Sequence, residues 1–245
     1  MSVTPDDPEL LRAHAHLLAS LGDEEAERDV RRLEALGLDT AADRSLLSGL
    51  RARAGARSEA LEAIENALAE DPSIANDWYS HAKLLYQEEE MGKALTSVDR
   101  CLELNRQHGD AWALMAVLLA PKENRLKEAL KAATHAVALD SGGVELMLLK
   151  VDLLIASGSP SDAEKALQKA LENNSQNGEL RANIASRKLL EGNLVEAQKL
   201  LDETPVGIDH TLLHVVEGRL HLANADRARD GTGQTDATLL AEAFV

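Results

Sequence analysis

The stretch from Asn76 to Asp110, NDWYSHAKLLYQEEEMGKALTSVDRCLELNRQHGD, is one unit of a repeat that extends through most of the chain. Trp78 is followed by Trp112 after 34 residues. Ala94, near the middle of the stretch, belongs to a series of alanines with spacings of 34, 34, 35, 34 and 34 residues. That series consists of Ala26, Ala60, Ala94, Ala129, Ala163 and Ala197. Self-similarity at this period predicts a solenoid of stacked supersecondary units.

The repeat resembles that of tetratricopeptide-repeat (TPR) proteins, in which each unit is a pair of helices. The TPR pattern has a large residue early in the first helix, a small residue four places later, and a small residue opening the second helix. In the best-matching unit these are Trp78, Ala82 and Ala94, whereas His81 stands where leucine is usual. The resemblance covers about residues 7–225. It implies an all-α fold, a right-handed α-solenoid superhelix of about six helix pairs with a C-terminal capping helix.

The period divides the chain into repeat units between two terminal segments. A polar arm over residues 1–6 precedes the array, and a Gly-rich break with a short C-terminal helix or tail follows it over residues 226–245. The tail either caps the last unit or is a ligand for another protein. The units are about 7–40, 41–74, 75–108, 109–143, 144–177 and 178–211, followed by a partial unit. The glycines expected at the turns within the pairs are Gly22, Gly55, Gly92, Gly158 and Gly192.

Composition excludes several classes of partner. The chain of 245 residues has a net charge of -16, which disfavours nucleic acid and anionic membrane surfaces as partners. Its longest apolar run, Ala111 to Ala120, is too short to cross a bilayer, so we expect no membrane insertion. Cys101 is the only cysteine, so the chain contains no internal disulfide. Residues 1–11 lack the pattern of a secretory signal, and together these features predict a cytoplasmic protein.

The TPR resemblance implies a concave wall lined by side chains of the first helices. The lining residues expected by this analogy are Asn76, Tyr79, Lys83, Tyr86, Gln87, Leu114, Val117, Leu148, Leu149, Asp152, Ile155 and Asn183. The lining becomes mostly apolar along the chain, which suits a helical or extended segment of a partner protein. Alternatively, the C-terminal tail or a second copy of the chain covers these leucines. Because Lys83 is the only basic residue in this lining, a clamp for a C-terminal carboxylate is not expected.

One group of residues has a spacing that metal ligands could use. His210, His214, Glu217 and His221 fall within roughly 60° of one another on a helix. The group extends over about three turns, too far for one ion to touch all of it. Aligning Gly218 with the small TPR position instead turns the last three toward the previous unit or the tail. We therefore expect no metal and no cofactor, and no nucleotide-binding or nucleophile motif is present.

These observations predict a non-enzymatic protein-protein interaction module, an adaptor or scaffold that holds a partner segment in its concave groove. The alternative is an assembly chaperone or structural subunit of a larger multiprotein complex, which would use its outer faces and C-terminal tail. Homo-oligomers are compatible with both interpretations. The repeat pattern does not identify the partner, because one fold serves many functions.

Overall fold

The computed structural model describes residues 7–139, 143–173, 177–203, 215–216, 218–220 and 222–223. These residues form helices and turns, without a strand. The helices are α1 Pro8–Leu21, α2 Ala26–Ala35, α3 Ala41–Arg53, α4 Arg57–Glu70, α5 Ala75–Gln87, α6 Met91–Leu104, α7 Gly109–Leu119, α8 Leu126–Ala138, α9 Gly143–Ala156, α10 Pro160–Asn173, α11 Gly178–Leu190 and α12 Leu194–Asp202. A 3₁₀ turn, Glu123–Arg125, precedes α8. The all-α repeat fold expected from the sequence is confirmed.

The helices belong to two compact units that divide after residue 142. In the first unit, α1 packs on α2, α3 on α4, α5 on α6 and α7 on α8, and α2–α3, α4–α5 and α6–α7 also pack together. In the second unit, α9 packs on α10 and α11 on α12. Each unit is therefore built from helical hairpins, the supersecondary element that the 34-residue period predicts.

Small residues set the distance between the two helices of a pair. Every alanine of the 34-residue series is at most 2% exposed. In the first unit these alanines, which open the second helices, are matched by buried small residues in the first helices: Ala15, Ser48, Ala82 and Ala116. The Ser48 hydroxyl donates a hydrogen bond to the Ala60 carbonyl oxygen at 2.8 Å, so its burial leaves no polar group unpaired. The small pairs let the two helices approach closely.

The first repeat differs by one residue from its expected alignment. Ala15 is 1% exposed and occupies the small position, whereas a spacing of 34 residues before Ser48 would predict His14 there. The His14 side chain is half exposed, and its Nδ1 lies 2.6 Å from Asp29 Oδ2 on α2. The first repeat therefore has an ordinary small residue at this position.

The turn between α5 and α6 is the other departure. Gly22, Gly55, Gly158 and Gly192 lie at turns with positive φ, but Gly92 is the second residue of α6. The residue with the left-handed backbone in that turn is Glu89, with φ 61°. Only glycine adopts this conformation without a steric cost from Cβ. The third repeat therefore carries a strained residue where the others have glycine.

Replacing that residue should stabilise the fold. We expect Glu89→Gly to raise the free energy of unfolding by about 1 kcal/mol, because the left-handed conformation costs a non-glycine residue about that much. The urea midpoint measured by circular dichroism checks this. Glu88→Gly is the matched control, since Glu88 has φ −89° and a glycine there should destabilise. Equal midpoint changes in both variants would contradict the explanation.

His81 is an ionisable group in the packing of α5 against its neighbours. Its side chain is 14% exposed, with Nδ1 3.0 Å from Ser97 Oγ and Nε2 3.6 Å from Glu65 Oε1. The Ser97 hydroxyl donates to the Lys93 carbonyl, so Nδ1 carries the proton and donates to Oγ. Nε2 has no hydrogen-bond partner within the described residues. Burial lowers the pKa of His81, and the Glu65 carboxylate opposes that shift.

This lowered pKa makes the fold sensitive to acid. Because the folded-state pKa lies below the unfolded value of about 6.5, stability is present above that pH and is lost as pH falls through the folded pKa. We expect His81→Leu to remove up to about 1.4 kcal/mol per pH unit of this dependence below pH 6.5. Urea unfolding at several pH values measures it. His16→Leu, at an exposed position, should keep the wild-type slope, and an unchanged slope in His81→Leu would contradict the assignment.

The second unit has its own apolar core, formed by α9–α12 and the described residues of 215–223. Its largest buried side chains include Val151, Leu180, Leu189 and Leu220. Lys188, 6% exposed, lies beside this core, and its Nζ is 3.1 Å from Glu164 Oε2 and 3.3 Å from Glu191 Oε2. These carboxylates raise the pKa of the Lys188 ammonium against the opposing effect of burial, which is the largest single influence on it. Lys188 therefore keeps its charge beside the apolar core of the second unit.

Candidate protein-binding groove

Two adjoining cavities open on the first helices of the first three repeats. The larger has a volume of about 540 Å³ and is lined by His16, Ala42, Ser45, Leu46, Gly49, Arg53, Ile74, Asn76, Asp77 and Ser80. The smaller has a volume of about 290 Å³ and is lined by Ser48, Gly49, Ala52, Arg53, Ser80, Lys83, Leu84 and Gln87. Because they share Gly49, Arg53 and Ser80, we treat them as one surface, the α1/α3/α5 groove. Apart from Ile74, which immediately precedes α5, every lining residue belongs to a first helix.

Gly49 leaves the middle of this groove open. It lies inside α3, and a Cβ placed on it would meet no atom within 4 Å. Glycine inside a helix costs roughly 1 kcal/mol relative to alanine, and here close packing does not require it. Ser45 and Arg53 lie one turn before and one turn after it, on the same face of the helix. The glycine therefore gives the groove a floor of exposed backbone between two polar side chains.

The groove carries positive charge in an acidic chain. Arg53 Nη1 donates to the Ala19 carbonyl oxygen at 3.3 Å, which joins α3 to α1. Lys83 Nζ lies 5.7 Å from the centre of the Tyr79 ring. Within the described part of the chain, neither cation is paired with a carboxylate, although the protein has a net charge of -16. These two side chains can therefore bind an acidic group of a ligand.

Asp77 is the one carboxylate in the described lining, and it forms no ion pair with Arg53 or Lys83 within the described residues. The residue is only 5% exposed, and the Ser45 hydroxyl donates to its Oδ2 at 2.6 Å. Burial raises the pKa of Asp77, the Ser45 hydrogen bond lowers it, and Asp71 adds a further rise. Its hydrogen bond to α3 gives it a structural role between the second and third repeats.

Five of the predicted lining residues lie on α5, and the structure places three of them in the groove. Asn76 lines the larger cavity, and Lys83 and Gln87 line the smaller. Tyr79 is half buried, and its ring centre lies 4.7 Å from that of His108. Tyr86 is 38% exposed outside both cavities. The sequence prediction therefore includes residues of one wall of the groove, the wall formed by α5.

The predicted lining on α7 lies outside both cavities. Leu114 is half buried there, and Val117 is 36% exposed. The two residues belong to the same unit as the groove, one repeat further along the chain. They remain candidates for an extension of the binding surface.

The remaining predicted lining residues belong to the second unit. Leu148 is 9% exposed and packs in that unit's hydrophobic core, so its assignment to an open surface is corrected. Asp152 is bound by Arg187 of α11 through two contacts of 2.5 and 2.9 Å. Leu149 and Asn183 are half buried, whereas Ile155 is 48% exposed. Leu148 and Asp152 therefore hold α9 against its neighbours within the second unit.

The sequence prediction missed the α3 wall of the groove, although the repeat contains it. Moving each predicted α5 residue back by 34 positions gives a residue of α3 that lines the groove. The five residues found in this way are Ala42, Ser45, Gly49, Ala52 and Arg53. The period was therefore a sufficient signal for them, whereas His16 needs the corrected alignment of the first repeat.

The candidate metal-binding set of His210, His214, Glu217 and His221 lies outside the described residues. Elsewhere, in the part that the structure describes, no three His, Cys, Asp or Glu side chains gather in a way that could hold a metal ion. No helix within the same described ranges is both long and apolar enough to cross a bilayer.

Comparison with known proteins identifies the repeat. Residues 122–179 and 154–206 match the family model for the tetratricopeptide repeat. The structure also aligns with a tetratricopeptide repeat protein from Parabacteroides merdae, with a TM-score of 0.70, 18% identity and coverage of 96% of each chain. Residues 122–206 carry tetratricopeptide repeats, and the chain has the fold of TPR proteins. The helical hairpins and buried alanines described above have the arrangement of that fold.

Two further solved structures are similar to this one. YrrB, described as a TPR protein with an unusual peptide-binding site, has a TM-score of 0.57 and 24% identity, with 68% of this chain and 86% of YrrB covered. MamA from Desulfovibrio magneticus, from residue 41 to its end, has a TM-score of 0.61 and 16% identity, with coverage of 72% of this chain and 99% of MamA. No curated protein sequence matches the chain. The TPR fold supports a protein-protein interaction module and implies protein partners.

Proposed function

We propose that this TPR protein is a non-enzymatic adaptor or scaffold that holds a segment of a partner protein in the α1/α3/α5 groove. The observation that carries the proposal is the convergence of side chains from three successive first helices on one open surface. A volume of about 540 Å³ is within the range of pockets that bind ligands and is large enough for several side chains of a peptide. The neighbouring volume extends this surface along α5.

The lining indicates the chemistry of the segment. Arg53 and Lys83 favour a carboxylate, because a charge-assisted hydrogen bond to either would be stronger than a neutral one. Leu46 and Ile74 supply apolar contacts beside them, and Ile74 is 36% exposed. The partner segment, helical or extended, should therefore carry an acidic residue next to apolar ones. The mostly apolar part of the lining that the sequence pattern suggests lies further along the chain, in the later repeats.

We also propose that the protein is located in the cytoplasm. Cys101 is fully buried, and burial raises the pKa of its thiol to about 11. A protonated, buried thiol is unreactive packing, which suits a reducing compartment but does not require one. Immunoelectron microscopy or fractionation of the native cells tests this location, and recovery in another compartment would contradict it.

Hydrogen exchange on the complex tests the site directly. A partner is first captured from native lysate, and peptide mapping then defines its minimal binding segment. Adding that peptide should slow amide exchange in α3 and α5 and leave α9–α12 unchanged. Protection confined to α4, α6 or the second unit would contradict the groove. It would favour the alternative of a structural subunit that binds through its outer faces.

A further inference from the structure

The first helix exposes a row of leucines outside the α1/α3/α5 groove. Leu10 is 48% exposed, Leu17 is 57% exposed and Leu21 is 73% exposed. On a helix of 100° per residue, these three and His14 fall within roughly 60° of one another. We call these four residues the α1 seam. Leu11 and Ala15, which face the core, lie on a different side of α1.

The seam corresponds to a surface that later repeats bury. The small residues Ala15, Ser48, Ala82 and Ala116 fix the alignment of the four first helices. In that alignment Leu17 corresponds to Leu50, Leu84 and Leu118, which are 7%, 4% and 3% exposed. Leu10 corresponds to Asp43, Asp77 and Ala111, which are 1%, 5% and 0% exposed. Only the first repeat leaves both positions open among the four repeats of this unit.

The cover on the later repeats comes from the repeat before. Leu84 of α5 packs in a cluster with Ile64 and Leu68 of α4. Leu47, the equivalent of His14, packs in a cluster with Ala15 of α1 and Val30 of α2. The α1 seam is therefore a repeat-stacking surface without a preceding repeat in the described part of the chain. Terminal repeats normally have a polar outer face, so exposed leucines here indicate an interface.

The spacing of the seam is self-complementary. Its residues are separated by 4, 3 and 4 positions, which is the spacing of the d and a positions in a coiled coil. This order reads the same in both directions. Two copies of α1 packed antiparallel about a two-fold axis would place Leu10 against Leu21 of the other copy and His14 against Leu17. Each end of the interface would then contain a pair of leucines, Leu10 of one copy and Leu21 of the other.

Charge also favours a second copy at this place. A chain with a net charge of -16 repels its own copies over most of its surface. The seam itself contains no acidic residue, and the residues beside it include Ala13, Leu18 and Ser20. The Asp29 carboxylate lies 2.6 Å from His14 Nδ1, and the Asp29 side chain is only 15% exposed. Two like-charged chains can approach along this mostly apolar strip. We propose that the α1 seam is the interface of a homodimer in which the first helices of two chains pack antiparallel.

Sedimentation equilibrium on the full chain tests the dimer. We expect the wild type to dimerise and Leu10→Glu to raise the dissociation constant by at least about 100-fold, because each interface would bury two carboxylates against Leu21 of the other copy. Val195→Glu is the matched control, since Val195 is 76% exposed on α12 and should leave the dissociation constant unchanged. A monomeric wild type, or a dimer that persists in Leu10→Glu, would overturn the proposal. Unchanged circular dichroism verifies that both variants fold.

Cysteine cross-linking tests the antiparallel arrangement. Leu10→Cys chains mixed with Leu21→Cys chains should form an intermolecular disulfide between positions 10 and 21 under mild oxidation. Cross-links only between identical positions would indicate parallel pairing and contradict the model of the interface. If the wild type is monomeric and truncation of residues 224–245 deprotects the α1 amides, the C-terminal tail covers the seam. That result would also overturn the homodimer.

Discussion

Combining Arg53→Glu with Lys83→Glu should weaken binding of the partner segment by at least about 100-fold, because two favourable charge contacts become repulsive. Both cations line the smaller cavity, and neither is paired with a carboxylate among the described residues. Reversal therefore acts on the ligand and breaks no internal ion pair. Isothermal titration calorimetry with the mapped peptide measures the change.

A control variant separates the groove from the charge of the whole chain. Lys93→Glu combined with Arg100→Glu makes the same change in net charge on α6, where both side chains are exposed. This variant should bind within about threefold of the wild type at physiological ionic strength, because charges beyond a Debye length are screened. Equal losses in both variants would indicate a general electrostatic effect. No loss in the Arg53/Lys83 variant would exclude the groove as the site.

The alanine series contained enough information to predict the helical hairpins. A residue that must be small at the same place in every repeat reports a close approach of two helices, whatever else varies. All six alanines are buried as this argument requires. The turns were less predictable, because Glu89 adopts a backbone conformation that sequence patterns assign to glycine. Nothing in the identity of Glu89 announces that conformation.

The groove was only partly predictable from the same period. The repeat register selects Ser45 and Gly49 once it is applied to the second repeat. It does not reveal that the space above Gly49 is open, since that depends on how side chains of α1 and α5 are placed around it. Leu148 shows the opposite failure. Its position in the period matches the predicted lining of the groove, but the helices around it bury it in a core.

The ion pairs between repeats could not be predicted from the sequence. Asp152 binds Arg187 across 35 residues, and Arg12 binds Asp43 across 31. Each of these pairs joins two successive first helices, so the pairs become visible only when the repeats are stacked. They explain why the polar residues of these helices are divided between structural ion pairs and open positions such as Lys83. That division is what makes Arg53 and Lys83 candidates for ligand contacts.

The close approach of α5 and α6 predicts a large steric effect. Ala94→Leu should lower the free energy of unfolding by about 3 kcal/mol, at the upper end of the usual cost of overpacking a core. Ala94 is 0% exposed at the start of α6, and Ala82 of α5 is equally buried, so no space exists for three more carbon atoms. The helices must separate to accept them. Urea unfolding followed by circular dichroism measures the loss.

A second variant in the same helix distinguishes packing from helix propensity. Thr96→Leu places leucine at an exposed position of α6 and should change the free energy of unfolding by less than about 0.5 kcal/mol. If Ala94→Leu is equally well tolerated, small residues do not set the spacing of the hairpin. If it destabilises as expected, it should also weaken peptide binding, because separating α5 from α6 moves Lys83 relative to Arg53 of α3. Loss of stability with unchanged affinity would show that the groove is insulated from the packing of the third repeat.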